Sequence, residues 1–155
     1  MGIKSFEGPR KGQQQVEQNQ SLKVSDYMTR DLITFKASQS VEEVIDTLIK
    51  KKISGGPVVN DKNELIGIIS EGDCIKQISD SRYYNSPTQN NSVERHMVKN
   101  VETIDGNLNI FDAATKFLES KRRRFPIVED GKLVGQISQK DILKATIDLK
   151  SQNWK

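Results

Sequence analysis

Apolar residues recur along this chain with two periods, and the switches between them predict its elements. Val41, Val44, Ile45, Leu48 and Ile49 fall at i, i+3, i+4, i+7 and i+8, one face of a helix. Ser40 stands at the N-cap position with Glu43 three residues on, the pattern of a capping box that satisfies otherwise orphan amide donors. Gly55-Gly56-Pro57 interrupts the pattern, since Gly is a poor helix-interior residue and Pro cannot continue a helix. Val58-Val59 and Leu65–Ile69 read as two short strands around an Asp61-Lys62-Asn63 turn, and another helix starts near Ser70. Ahead of these, Val24–Met28 reads as a short helical turn and Leu32–Phe35 as a brief strand.

The same order returns. A helix carries Ile110, Ala113, Ala114, Phe117 and Leu118, a strand runs Phe125–Val128, Asp130-Gly131 turns the chain, and Leu133–Ile137 leads into a helix from Ser138. An offset of 69 superposes Met28 on Met97, Thr34 on Thr103, Pro57 on Pro126, Val59 on Val128 and Asp61 on Asp130. One residue is then lost in a turn. An offset of 68 aligns Leu65 with Leu133, Gly67 with Gly135, Ile69 with Ile137, Ser70 with Ser138, Asp73 with Asp141 and Lys76 with Lys144. Identities in this order, with one slip placed in a turn, mark a tandem repeat. The fold class this predicts is α/β, more strictly α+β: two βαββα units, 22–79 and 92–147. A unit of that size has little core of its own, so the pair is expected to pack sheet to sheet with pseudo-two-fold symmetry.

Three segments fall outside the repeats. Residues 1–20 hold five glutamines and lack periodicity, which predicts a flexible tail. The polar, turn-rich stretch 80–91 reads as a linker, with Tyr83-Tyr84 as candidates to pack over a cleft or at a dimer contact. Residues 148–155 read as a short C-terminal tail pinned by Trp154.

Composition narrows the function more than the fold. The 155 residues include a single cysteine, Cys74, and a single histidine, His96, so neither a disulfide framework nor a histidine-based metal cluster is available. Cys74 is expected to be a small buried hydrophobe and His96 a surface or capping residue. No apolar run approaches the roughly 18 residues of a membrane span and the N-terminus has no secretory pattern, which points to a reducing cytoplasm. A net charge of +3 does not imply nucleic-acid binding. One run, Lys121-Arg122-Arg123-Arg124, is densely basic, and no interleaved aromatics accompany it. No Ser/His/Asp or Cys/His constellation, Walker loop or flanking carboxylate pair can be assembled, so the chain reads as a non-enzyme.

Ile53-Ser54-Gly55-Gly56-Pro57-Val58-Val59 followed by Leu65-Ile66-Gly67-Ile68-Ile69-Ser70-Glu71-Gly72-Asp73 resembles the signature of a CBS domain. So does Arg123-Arg124-Phe125-Pro126-Ile127-Val128 followed by Leu133-Val134-Gly135-Gln136-Ile137-Ser138-Gln139-Lys140-Asp141. Two in tandem resemble a CBS pair, or Bateman module, over about 125 of the 155 residues. The resemblance implies a regulatory module that binds AMP, ADP, ATP or S-adenosylmethionine in clefts between the repeats, forms a homodimeric disc, and acts on a regulated enzyme or transporter. Beyond that regulatory adenine nucleotide it implies no cofactor.

Residue by residue, the resemblance assigns Asp73 and Asp141 to the ribose hydroxyls, and Ser70 and Ser138 to a helix start facing phosphate. The residues alone also allow an ordinary N-cap with a first-turn carboxylate. Thr34 and Thr103 would place a hydroxyl and backbone against the base, or simply favour a strand. Ser54, Gly55 and Pro57, with Arg123, Arg124 and Pro126 as counterparts, would line the cleft edge. Gly55-Gly56 either admits a ligand close to the backbone or caps a helix. Arg123 and Arg124 present guanidinium forks suited to phosphate oxygens, whereas Glu71 would repel a phosphate in the first repeat. The second repeat is therefore expected to take the phosphorylated nucleotide. A ligand-independent dimerisation scaffold and a nucleic-acid patch remain as alternatives.

Overall fold

The computed structural model describes residues 22–84 and 91–153. The tail read over 1–20 and the Trp154 anchor lie outside those residues, as do residues 85–90 of the stretch read as a linker.

Each repeat builds a helix, a β-hairpin and a second helix. In the first, α2 (Val41–Lys51), β1 (Gly55–Val59), β2 (Leu65–Ser70) and α3 (Glu71–Tyr84) follow the short helix α1 (Val24–Tyr27). In the second, α4 (Val93–His96) is the short helix, followed by α5 (Ile110–Ser120), β3 (Arg124–Glu129), β4 (Lys132–Ser138) and α6 (Gln139–Asn153). The strands form two separate two-stranded sheets, β1 with β2 and β3 with β4. β1 and β2 are antiparallel, with Gly55 opposite Ser70 and a bulge between Val58 and Val59. The brief first strand of each repeat shrinks to one parallel bridge, Phe35 to Val58 and Ile104 to Ile127.

The ends of α2 and α5 are capped as their sequences dictate. Ser40 Oγ accepts the Glu43 N–H at 3.1 Å, and Asn109 Oδ1 accepts the Asp112 N–H at 2.8 Å. The return arm of the expected capping box is absent, because the Glu43 carboxylate accepts the Gln39 side-chain amide at 3.2 Å instead. The C-caps are Lys52 and Lys121, both left-handed. Gly55-Gly56 is therefore not the cap of α2. It is strand, and a Cβ at Gly55 would lie 2.7 Å from the Ile69 carbonyl oxygen, one at Gly56 2.9 Å from that of Ile33.

Two compact units emerge, and they do not follow the sequence repeats. One gathers the segment up to Arg30, Ile104–Ile127 and the segment from Gly135; the other gathers Asp31–Thr103 and Val128–Val134. In the former, α1 docks through Val24 N–H to the Leu108 carbonyl (2.9 Å) and Ser25 N–H to that of Gly106 (2.9 Å), and Thr29 pairs with Gln136. In the latter, α4 docks equivalently: Val93 N–H reaches the Gln39 carbonyl (2.9 Å), Glu94 N–H that of Ala37 (3.1 Å), and Val98 pairs with Ile68. Each short helix thus serves the repeat it does not precede. The tip of the second hairpin is also tied to the first: Leu133 N–H donates to the Asn63 carbonyl (3.0 Å) and Asn63 Nδ2 to that of Leu133 (2.9 Å).

Phe35, Val41, Val44, Leu48, Val58, Ile69, Cys74 and Val93 form the core of one unit. In the other, Ile104, Ile110, Ala113, Phe125, Ile127 and Ile137 are buried, and the Phe117 and Phe125 rings meet at 4.8 Å. Ile49 and Leu118, which periodicity places on the core face, are instead 71% and 81% exposed. The eighth step along a helix of about 100° per residue carries them roughly 90° away from the centre of the stripe. α3 and α6 also run on through Tyr84 and Asn153, into segments read as linker and tail. Asp80, Asp148 and Lys150 in these stretches are exposed on the helices, so polar composition there does not mark a break.

Candidate functional site

The repeated Ser-x-x-Asp pairs sit where β2 and β4 give way to α3 and α6. In the first, the Ser70 N–H and hydroxyl both donate to Asp73 Oδ2 at 2.9 Å, and the Asp73 N–H donates back to Ser70 Oγ at 3.4 Å. In the second, Ser138 N–H and hydroxyl donate to Asp141 Oδ2 at 2.9 and 3.0 Å, with the return bond at 3.3 Å. Each pair is a closed reciprocal cap, which a helix start needs because its first amides lack intrahelical acceptors. The serine proton is committed to the carboxylate, so Ser Oγ offers a neighbour a lone pair and no donor. These bonds all fall on Oδ2. A carboxylate has roughly four acceptor sites, so each half-buried aspartate retains Oδ1 for further donors.

The first residue of each following helix fastens the strand start to this turn. Glu71 N–H donates to the Ser54 carbonyl at 2.9 Å, and Gln139 N–H to that of Arg123 at 3.2 Å. Gln139 Nε2 also reaches the Arg122 carbonyl at 3.4 Å. The fold therefore gathers Ser54, Gly55, Ser70 and Asp73 in one repeat, and Arg123, Arg124, Ser138 and Asp141 in the other. Gln139 escaped the sequence reading as a tether; the only hint was that it replaces Glu71. Pro57 and Pro126 are buried, and their carbonyls accept the N–H groups of Phe35 (2.9 Å) and Ile104 (3.1 Å). Thr34 and Thr103 precede those two residues in the chain and are exposed.

Charge separates the two turns. Glu71 and Asp73 both stand in the first turn of α3. Their charges add to burial, the larger cause, in pushing the Cys74 thiol above its usual 9.0. Cys74 is in the core, as its sequence context predicts. In α6 the equivalent turn has Asp141 as its acid, with Lys140 beside it and Arg123 and Arg124 at the adjoining strand start. Among the described residues there is no cluster of His, Cys, Asp or Glu suited to a metal ion, and no helix is long and apolar enough to cross a membrane.

The profile of the CBS domain matches residues 24–80 and 93–148. The chain belongs to the CBS-domain family. It is 31% identical over 121 residues to MJ1225 of Methanocaldococcus jannaschii, covering 78% of this chain and 41% of that protein. The chain thus spans about two fifths of that relative's length. Among solved structures, CBSX2 of Arabidopsis thaliana in complex with AMP is 32% identical with a TM-score of 0.74, over 83% of this chain and 98% of that one. The CBS domain pair of MJ0100, in complex with 5′-methylthioadenosine and S-adenosyl-L-methionine, is 26% identical with a TM-score of 0.66, over 82% and 98%. The mixed α/β fold of two antiparallel hairpins with flanking helices is shared with these CBS pairs, as the sequence resemblance implied.

Proposed function

We propose that this CBS-family chain is a non-catalytic regulatory module whose Ser138–Asp141 turn binds a phosphorylated adenosine. The observation that carries the reading is the closed Ser-x-x-Asp cap, which aligns a half-buried carboxylate and leaves Oδ1 to accept from a ribose diol beside Arg123 and Arg124. The guanidinium groups match phosphate oxygens in charge and planarity. Thr103 and Pro126 complete the base side. The Ser70–Asp73 turn, with Thr34, Ser54, Gly55 and Pro57, takes a less charged adenosine ligand or none, because Glu71 opposes phosphate. AMP in CBSX2 and the two adenosyl compounds in MJ0100 support the ligand class.

Occupancy acts by shifting a conformational population, only as far as the ligand's preference between states allows. An AMP or ATP ligand makes the module an energy sensor. The reading also holds that the chain works in the cytoplasm, as a homodimer, on an enzyme or transporter. Isothermal titration with AMP, ADP, ATP and S-adenosylmethionine tests it: saturable heat with at least one is expected. No heat and no thermal shift up to millimolar concentrations with all four would overturn it.

A further inference from the structure

Three methionines and one cysteine carry the sulfur of this chain, and Met1 lies outside the described residues. Cys74 is poorly placed to meet an oxidant: burial first, then the Asp73 and Glu71 charges, hold its thiol protonated. Peroxides attack the thiolate. A thioether has no proton to lose, so its reactivity depends on access alone.

Met28 and Met97 are the C-caps of α1 and α4, and each lays its thioether on a glycine of the other repeat's hairpin. A Cβ at Gly67 would lie 2.5 Å from Met97 Sδ, and one at Gly135 2.6 Å from Met28 Sδ. The next residue then bonds twice to the same strand. Val98 N–H donates to the Ile68 carbonyl at 2.8 Å and Ile68 N–H to that of Val98 at 2.9 Å, as Thr29 and Gln136 do at 2.8 and 2.9 Å. Each short helix is thus held at its exit by one thioether and two backbone bonds. The two seats differ in access. Met28 is buried, 8% exposed, whereas Met97 is partly exposed at the edge of the core that includes Phe35, Ile69 and Val93.

We propose that Met97 is an oxidation site, and that its conversion to the sulfoxide by a hydroperoxide releases α4 from β2. The sulfur lone pair attacks the outer peroxide oxygen, an S–O bond forms as the O–O bond breaks, and the departing oxygen leaves as water or an alcohol once it takes up the proton. Sulfur loses two electrons and the peroxide gains them. The product is polar and larger by one oxygen, in a seat where not even a Cβ on Gly67 would fit. That oxygen either faces the apolar core without a donor, which burial penalises, or turns to water and lifts the side chain off Gly67. Reduction by a methionine sulfoxide reductase restores the thioether. Release needs neither nucleotide nor a second copy of the chain.

The test treats the full chain with hydrogen peroxide, locates the added oxygen by peptide mass spectrometry and follows amide hydrogen exchange. Met97 is expected to gain its oxygen before Met28. The Val98 and Ile68 amides should then exchange about tenfold faster, while Thr29 and Gln136 keep their protection. Met97→Leu should hold the clasp and make it insensitive to peroxide, and Met97→Gln, polar and unbranched, should loosen it without oxidant. Oxidation of Met28 first, or unchanged Val98 and Ile68 exchange once Met97 carries its oxygen, would overturn the proposal. So would equal loosening by peroxide in Met97→Leu.

Discussion

Replacing Asp141 by asparagine separates a ligand-binding carboxylate from a helix cap. Asparagine keeps one side-chain oxygen, which can still accept the Ser138 N–H and hydroxyl now held at 2.9 and 3.0 Å. What it loses is the charge and the second oxygen, replaced by an NH₂ that cannot accept from a ribose hydroxyl. The cost to folding is the helix-dipole interaction, about 0.3–1 kcal/mol. A hydrogen bond to a charged group contributes about 1.5–3 kcal/mol, so nucleotide affinity should fall roughly ten- to hundredfold. Asp141→Ala removes the cap as well and should cost about 1–2 kcal/mol of stability. Urea denaturation measures the folding cost and titration calorimetry the binding cost, with Asp73→Asn as the matched control in the first repeat. Unchanged nucleotide affinity in Asp141→Asn, alongside a destabilised Asp141→Ala, would refute the reasoning and reduce the carboxylate to a cap.

Gly135→Ala would drive a Cβ to 2.6 Å from Met28 Sδ and 3.0 Å from the Thr29 carbonyl oxygen. The thioether can move and the carbonyl cannot without breaking the Thr29–Gln136 pairing, so a loss of about 1–3 kcal/mol is expected in urea. Cys74 should resist a thiol-alkylating reagent in the native protein and react rapidly once urea unfolds it, since burial and the Asp73 and Glu71 charges disfavour the thiolate. Its raised folded-state pKa contributes stability that is fully present below pH 9.0 and is lost as pH rises through the folded value. Tyr27 behaves likewise above its usual 10.0, raised first by burial and then by the charge of Asp148, whose carboxylate its hydroxyl bonds. Tyr27→Phe should therefore flatten part of the alkaline decline in melting temperature, while losing about 1 kcal/mol or less at neutral pH.

The tandem repeat, the helix faces, the hairpins and the Ser-x-x-Asp turns were legible in the chain because each is a local pattern, set by spacing within a dozen residues. The same locality made the Ser and Asp pair ambiguous. A capping serine and a ligand-facing serine read alike until the hydrogen bonds show where the hydroxyl proton goes. Three features were decided only in three dimensions. A four-residue helix has no stability of its own, so α1 and α4 take whichever surface satisfies their amides, and each proved to lie on the other repeat. Gly55-Gly56 became strand because Lys52 could adopt the left-handed cap and β2 needed a neighbour without a Cβ. Ile49 and Leu118 lay at the edge of a stripe whose width periodicity does not specify, and only the packing of the neighbouring elements determined that they would face water.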